Sequence, residues 1–364
     1  MAYLSDYTEG RDNNFNLLRL LFALCVVVAH GFNIYSNSPY DSDPVIQFSY
    51  GFGFAALDAF FVLSGFMITS SLIRRKDPVL FFVARWLRIF PALIVVTIVV
   101  SLLLGPLVTK VSLSEYFLQL ETYTYLIVTG LTTDPDMTLP GVFFDHAAVG
   151  AVNRSIWTLR YELLFYIVTA FAFFTGIYNI KTAPFILGAV VIVYILKTLW
   201  LGMDSGFAFI DHIFRFGFCF AIGSAAYFYQ NRILIKFIFA IPLAILAYFL
   251  SGTQFEQAMH AIFTAYFIFW CAYIPIGWVR QYNKVGDYSY GIYIMHWPIA
   301  SAIIACWPSV KTAQLIPATV IITVPLAILC WHFVEKPALK SVPKVSLWVK
   351  FILSKQLKIN RWVK

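Results

Sequence analysis

Residues 15–35 of this chain read FNLLRLLFALCVVVAHGFNIY, an apolar run in which Arg19 and His30 are the only basic residues and no residue is acidic. A helix rises 1.5 Å per residue, so a run of about 20 residues crosses the roughly 30 Å hydrocarbon core of a bilayer. The preceding residues are polar and include Asp6 and Asp12, unlike the basic start of a cleavable signal peptide. We therefore predict that this run is a retained first transmembrane helix.

Similar apolar runs recur along the whole chain, in which 60% of the residues are hydrophobic and only 12% are charged. Soluble domains carry roughly 25% charged residues, so lipid has to replace water as the solvent for most of this chain. The predicted fold class is an all-α polytopic membrane protein with about ten transmembrane helices. A shorter and more polar stretch at 115–130 is predicted to be interfacial or re-entrant. The predicted spans are 15–35, 51–74, 80–108, 156–178, 183–201, 208–229, 233–251, 257–279, 287–307 and 312–334.

The distribution of lysine and arginine predicts the orientation of these spans. If the N-terminus is cytoplasmic, the outer segments hold only Lys110, Arg154, Lys197 and Lys311, and the inner segments and the tail hold most of the remainder. This asymmetry is what the positive-inside rule requires. Both termini are therefore predicted to be cytoplasmic (N-in/C-in).

Two regions are expected: a membrane domain over residues 1–340 and a basic amphipathic cytoplasmic tail over 341–364. The tail interleaves lysines with Trp348, Phe351 and Trp362, a pattern typical of a helix that lies on anionic lipid headgroups. The net charge of +8 comes largely from this tail and from short loops, so it does not indicate nucleic-acid binding. The five cysteines form no C-x-x-C pair, and neither a disulfide framework nor a metal site is predicted.

Three arginines near the predicted cytoplasmic side point to a phosphate-rich ligand. Arg19 lies in the first span, and Arg85 and Arg88 lie three residues apart at the start of the third, on one helix face. Guanidinium groups bind phosphates with two parallel hydrogen bonds. The alternative is that such side chains anchor helix ends to headgroups, the interpretation favoured for the neighbouring run 74–76.

A second set of ionisable residues is predicted nearer the outer side. His30, Asp58 and Glu162 fall at a similar depth in three different spans. Ionisable groups persist at membrane depth mainly when they are paired or face a polar cavity. A histidine oriented by a carboxylate is the usual form of a general base, so the predicted catalytic residues are these three. A purely structural histidine–carboxylate pair is the alternative.

One distance relates the two sets of residues. His30 follows Arg19 by 11 residues on one helix, a rise of about 16 Å, which is comparable to the reach of an extended pantetheine arm. A coenzyme A bound by its phosphates at the inner arginines would therefore present its thioester near His30.

In these residues the chain resembles the membrane acyltransferase-3 family, which includes bacterial O-acetyltransferases of surface polysaccharides. The similar motifs occur in order along almost the whole chain. They are Asn16-Leu-Leu-Arg19 with Ala29-His30, Asp58-Ala-Phe-Phe-Val-Leu-Ser64-Gly65-Phe66, Arg85-Trp-Leu-Arg88-Ile-Phe-Pro91, Trp157-Thr-Leu-Arg-Tyr-Glu162, Ser289-Tyr-Gly-Ile-Tyr293-Ile-Met-His296 and Phe333-Val-Glu335-Lys336-Pro337.

The resemblance implies a role for each matching residue. His30 would be the essential histidine, Arg85 and Arg88 the pair on the acyl-CoA side, and Arg19 a further required basic residue. Glu162 matches the family's acidic residue. Ser64, with the glycine and phenylalanine after it, would let helices approach closely around the channel for the donor.

The expected activity is that of an O-acyltransferase in the bacterial cytoplasmic membrane. Acetyl-CoA would be the donor, and a glycan or lipid-linked sugar would be the acceptor, with membrane lipids around the chain and no metal. The acyl group, a covalent acyl-His intermediate and the oligomeric state stay open. The alternatives are a proton-coupled transporter or polysaccharide exporter, and a non-catalytic membrane scaffold.

Other polar residues receive weaker assignments. His296 is interpreted as a hydrogen-bonded core histidine, with lining of the same cavity as the alternative. Asp211, His212 and Arg215 are expected near the outer end of their span, where they would contact an acceptor sugar. The longest outer loop, 109–155, which includes Asp145 and His146, is expected to cap a cavity.

Overall fold

The computed structural model of this protein describes residues 2–8, 10, 12–36, 51–143, 151–202 and 204–362, excluding the side chains of residues 35, 36, 52 and 356–362. Within this part of the chain all regular structure is helical, apart from one isolated bridge between Tyr3 and Leu234, so the predicted all-α fold class is confirmed. The helices are α1 (Phe15–Ser36), α2 (Phe52–Arg75), α3 (Pro78–Val99), α4 (Gly105–Val108), α5 (Leu113–Leu118), α6 (Leu120–Thr132), α7 (Leu159–Phe174), α8 (Ala183–Leu201), α9 (Ala208–Phe228), α10 (Ala240–Phe249), α11 (Glu256–Tyr273), α12 (Trp278–Gln281), α13 (Ser289–Cys306), α14 (Thr312–Cys330), α15 (Lys336–Lys340) and α16 (Val342–Trp362).

Among the described residues, 8 helical segments are long and apolar enough to cross a membrane. A ninth results if α11 and the short helix that follows it, which meet at 90°, form one broken span. The remaining predicted span corresponds to the shorter apolar helix Phe237–Phe249. The count of about ten and the N-in/C-in orientation therefore remain predictions. The segments are Phe15–Ile34, Gly53–Arg75, Pro78–Val108, Arg154–Phe174, Ala183–Leu201, Ala208–Phe228, Ser289–Cys306 and Thr312–Lys340.

Helices α2 and α9 approach each other through glycine. A Cβ atom added to Gly65 would lie 2.0 Å from the carbonyl oxygen of Phe220, and one added to Gly223 would lie 1.9 Å from that of Val62. Close backbone contact of this kind is how membrane helices associate when no water is present to drive them together. The close approach occurs at Gly65, the residue after Ser64.

Helix α1 is held on both sides of His30 by small residues. A Cβ atom on Gly53 of α2 would lie 2.8 Å from the side chain of Ala29, and one on Gly31 would lie 2.5 Å from Ile316 of α14. The start of the helix is fixed by Asn14, whose amide donates to two backbone carbonyls, each at 2.9 Å, in the α11–α12 region. The imidazole therefore projects from a closely packed helix.

Helix α13 contains Pro298, which has no N–H to donate to the carbonyl of Ile294 four residues earlier. The side-chain amide of Asn153, which precedes α7, donates to that carbonyl at 2.8 Å. This hydrogen bond joins the segment before α7 to the middle of α13.

The terminal helix α16 packs against α3 through Val342, which lies in a cluster with Ala84 and Leu87. At the corner between α2 and α3, Lys350 also forms an ion pair with Asp77. A hydrogen bond from Lys350 lowers the pKa of the Asp77 carboxyl below its usual range. The described part of the tail thus packs against the start of α3.

The glycine contacts predict a matched pair of stability effects. Gly65→Ala places a methyl group against backbone, so it should lower the free energy of unfolding by about 1–3 kcal/mol, as overpacking does. Gly188→Ala, in the interior of α8 with nothing within 4 Å of the added carbon, should be neutral or slightly stabilising. Thermal unfolding of both variants in detergent measures the difference. Equal melting temperatures for Gly65→Ala and the wild type would contradict the close approach.

Candidate functional site

Arg88 joins several elements at the end of the bundle where α1 begins. Its guanidinium donates to Glu335 at 2.6 Å and to Asp287 at 2.7 Å, and Arg19 reaches the same Asp287 oxygen at 3.0 Å. We call these four residues the Arg88 network. They come from α1, α3, the segment before α13 and the turn after α14. The network brings together two of the three arginines predicted to bind a phosphate ligand.

The Arg88 network is a buried group of charges. The side chains of Glu335 and Asp287 are 1% and 9% exposed, and the Arg88 guanidinium also lies over the rings of Tyr290 and Trp331. Asp287 lies just before the span Ser289–Cys306. Burial alone would raise the pKa of its carboxyl, but Arg19, Arg88 and hydrogen bonds with Ser289 hold that pKa below its ordinary value. Asp287 is therefore an ionised partner for both arginines.

Arg85, one turn before Arg88, has a different environment. Its guanidinium lies 5.9 Å from the ring centre of Phe81 and 5.8 Å from that of Tyr166. Its buried Nε has no hydrogen-bond partner among the described residues, and the Nε of Arg19 is in the same state. The two arginines that the sequence placed on one helix face are thus unequal, since Arg88 has two carboxylate partners and Arg85 stacks on rings.

A cavity extends from the Arg88 network into the bundle. Its empty volume is about 570 Å³, a value that includes space open to the surroundings. Polar groups enter it from four of the spans, amid apolar side chains such as Phe60 and Met67. These polar residues are Arg19, Ser64, Thr158, Glu162, Ser289, Tyr290 and Tyr293.

Glu162 and Ser64 meet in the wall of this cavity. The Ser64 hydroxyl donates to Glu162 at 3.3 Å, and the hydroxyl of Tyr166 donates to the same carboxylate oxygen. The Arg85 guanidinium also lies over the ring of Tyr166. Glu162, Ser64 and Arg85, all predicted site residues, are therefore connected through one tyrosine.

Asp58 is paired with Arg215 of α9. The Arg215 Nε donates to the Asp58 carboxylate at 2.8 Å, and the same guanidinium donates to the carbonyl of Phe54 at 3.0 Å. Asp58 is 0% exposed and Arg215 is 5% exposed. A buried carboxylate needs such a partner because an unpaired charge is costly in a medium of low dielectric constant. Asp58 thus joins α2 to α9 and does not orient His30.

His30 has a histidine partner in place of the expected carboxylate. Its Nδ1 lies 2.7 Å from Nε2 of His296, and the two ring planes are nearly parallel, with centroids 5.0 Å apart and an interplanar angle of 19°. Nδ1 of His296 lies 3.1 Å from the carbonyl oxygen of Ile292. We call His30 and His296 the histidine pair. The expectation that Glu162 or Asp58 orients His30 is corrected accordingly.

Tyr293 lies between the cavity and the histidine pair. Its side chain lines the cavity, its hydroxyl is 2.6 Å from that of Thr158, and its ring centroid is 6.2 Å from that of His296. The ring of Trp297 meets His30 edge-on from the other side at 5.0 Å. Tyr293 therefore borders both the described cavity and the histidine pair.

The residues predicted to contact an acceptor have structural partners. Asp211 pairs with Lys197 at 2.5 Å, and the ring of His212 lies 4.5 Å from that of Trp157. In the segment predicted to be the outer loop, Thr109 donates to the carbonyl of Pro140 at 2.6 Å. Asp145 and His146 lie outside the described residues.

Three functional candidates were not assigned roles from the sequence. Nothing in the sequence around Asp287 indicates a function, except that it lies two residues before the motif that begins at Ser289. Glu335 stands inside the last recognised motif but was given no role. His296 was interpreted as a core histidine, and it is 1% exposed and hydrogen-bonded as expected, yet its partner is His30.

Comparison with known proteins gives a consistent picture. A family model described as an acyltransferase domain matches residues 12–332. An O-acetyl transferase of Shigella phage Sf6 is 28% identical over 355 residues, which cover 93% of this chain and 99% of the phage protein. Nodulation protein 10 of Rhizobium leguminosarum bv. viciae is 35% identical over 178 residues, 46% of each chain. No solved structure gives a significant match.

The Arg88 network predicts a strong effect of a conservative substitution. Asp287→Asn removes the carboxylate that Arg19 and Arg88 share, and breaking a buried ion pair by removing one partner costs about 3–5 kcal/mol. Asp77→Asn removes a more exposed ion pair and should cost less than about 1 kcal/mol. Thermal unfolding in detergent compares the two variants. A larger loss for Asp77→Asn would show that the network does not stabilise the fold.

Proposed function

The chain belongs to the acyltransferase-3 family, and from that premise we propose that it transfers an acetyl or related acyl group from acyl-CoA to a sugar hydroxyl of a cell-surface glycan. Membership of the family and similarity to an O-acetyl transferase support acyl transfer at a membrane over the transporter, exporter and scaffold alternatives. The donor and the acceptor are our inference.

The main support for the proposal is the cavity that lies between the Arg88 network and the histidine pair. It begins at a guanidinium and ends at Tyr293, which contacts His296. Acyl-CoA has a matching distribution of charge. Its phosphates lie at one end, and its thioester lies at the end of a narrow, largely uncharged arm. The mixed apolar and polar lining suits such an arm better than a hydrated ion or a free sugar.

The phosphates of the donor are assigned to Arg85 and Arg19, whose Nε atoms lack partners in the described structure. A guanidinium whose N–H groups lack acceptors can form new hydrogen bonds to an incoming phosphate. Arg88, the other arginine predicted on the donor side, lies one turn away on α3, where its hydrogen bonds to Glu335 and Asp287 fix its position. Ser64 and Glu162 lie further along the cavity, where the arm of the donor would pass.

In the proposed reaction, His30 removes the proton from the sugar hydroxyl as its oxygen attacks the thioester carbonyl carbon. The tetrahedral intermediate then collapses, the C–S bond breaks, and the thiolate of coenzyme A receives the proton from the imidazolium. The products are an O-acyl sugar and coenzyme A. General base assistance of this kind contributes typically 10²–10⁴-fold to the rate.

We also propose the cellular arrangement. The end with the Arg88 network faces the cytoplasm of a bacterial inner membrane, because acyl-CoA is made there and the basic loops lie on that side under the positive-inside rule. Residues 1–340 form the acyltransferase domain. The tail 341–364 lies on the anionic inner leaflet, with exposed Trp348 and Phe351 toward the lipid.

Removal of the proposed base gives the first test. His30→Ala should lower transfer of radiolabelled acetyl groups to membrane glycans at least about 100-fold, without lowering the amount of protein in the membrane. His260→Ala, which changes a partly buried histidine with no proposed role, is the matched control. Normal product from the His30 variant would remove the assignment of the base.

The donor site has a test of its own. Arg85→Ala leaves the ion pairs of the Arg88 network intact, so the variant should fold normally. It should raise KM for acyl-CoA about tenfold or more, as expected for the loss of a hydrogen bond to a charged group. Arg75→Ala removes an exposed arginine at the end of α2 and should leave KM unchanged. An unaltered KM in the Arg85 variant would move the donor site elsewhere.

A further inference from the structure

His296 is buried at the centre of a chain of hydrogen-bonding groups that runs from α13 to α1. The carbonyl of Ile292 lies at one of its ring nitrogens and the imidazole of His30 lies at the other. No carboxylate contacts the histidine pair within the described part of the chain, since Asp58 pairs with Arg215 and Glu162 with Ser64 and Tyr166. The partner of the proposed base is therefore an uncharged ring.

The direction of these hydrogen bonds follows from elementary chemistry. A carbonyl oxygen only accepts, so Nδ1 of His296 carries the hydrogen that faces Ile292. The neutral ring of His296 then has a lone pair on Nε2, and this atom accepts from Nδ1 of His30 at 2.7 Å. The remaining nitrogen of a neutral His30, Nε2, bears a lone pair.

Other neutral tautomers create a conflict. If Nε2 of His30 carried the hydrogen, two lone pairs would face each other across 2.7 Å. If Nε2 of His296 carried the hydrogen, the lone pair on its Nδ1 would face the Ile292 carbonyl. A buried polar group without a partner costs about 1–3 kcal/mol, which is enough to select one tautomer.

We propose that His296 is a positioning residue, which fixes the tautomer and the ring plane of His30 so that Nε2 is the atom that accepts the substrate proton. The inference rests on the proposed function, because it assigns to His30 the base of that reaction. In a serine protease triad a carboxylate performs this orienting task, and loss of the correct tautomer there lowers kcat about 10⁴-fold. Here a neutral imidazole does so without adding a charge to a buried site.

The surroundings hold His296 in place for this role. Its helix is fixed two residues earlier by Asn153, which donates to the carbonyl that Pro298 leaves free. The ring of Trp297 packs edge-on against His30 at 5.0 Å, and Tyr293 contacts His296 on the side of the cavity. During transfer, His30 holds the sugar proton on Nε2 while its Nδ1–H stays with His296, and the proton then passes to the thiolate of coenzyme A.

A pair of substitutions separates the acceptor atom from the volume of the ring. His296→Gln places an amide oxygen near the former Nε2 and should keep kcat within about tenfold of the wild type. His296→Phe keeps the ring but has no acceptor, and should lower kcat about 100-fold or more with KM for acyl-CoA unchanged. Equal kcat for His296→Phe and the wild type would overturn the proposal, as would equal losses in both variants.

A spectroscopic measurement tests the same claim without catalysis. The wild-type protein is labelled with ¹⁵N-histidine in lipid nanodiscs, and the His30 signals are assigned by their loss in His30→Ala. We expect a protonated Nδ1 and an unprotonated Nε2 for His30. A protonated Nε2 in the neutral ring would overturn the role of His296 even if the enzyme is active. The expected tautomer in a protein that acylates no glycan would instead contradict the proposed function.

Discussion

An unpaired buried positive charge is costly in a membrane-spanning chain, and the ion pairs of Arg88 organise one end of this protein. Its two hydrogen bonds, to Asp287 and Glu335, join α3 to the start of α13 and the end of α14, and Arg19 brings in α1 through the same Asp287. Because desolvated charges are costly when separated, these four segments cannot move apart independently. The cavity for the proposed donor opens beside this fixed group.

Close helix packing at glycine residues is a second constraint on the structure around the cavity. The backbone contacts of Gly65 and Gly223 bring α2 against α9, and the neighbouring Ser64 meets Glu162 of α7 in the cavity wall. The same type of contact at Gly31 and Gly53 fixes α1 around His30. Small residues thus position the polar side chains on each face of the site, as is usual where lipid surrounds the helices.

The sequence predicted which helices carry the ionisable residues, but it did not predict their partners. Hydropathy and spacing placed Arg19 at one end of α1 and His30 at the other, and this follows directly from the helical rise. Which way each side chain faces depends on how helices pack, and the sequence holds no local signal for that. Asp58 and His30 were predicted at a similar depth, yet Asp58 faces Arg215 of α9 and His30 faces His296 of α13. The partner residues are 157 and 266 positions away in the chain.

The account as a whole claims that an acyl donor enters beside the Arg88 network and presents its acyl group to the histidine pair. An electron cryo-microscopy structure with a non-hydrolysable thioether analogue of acetyl-CoA tests this most directly. We expect the phosphates at Arg85 and Arg19 and the acyl group next to Nε2 of His30, with room for one hydroxyl between them. An analogue bound outside the cavity, or one whose acyl group stays on the far side of Tyr293 from the histidines, would contradict the account.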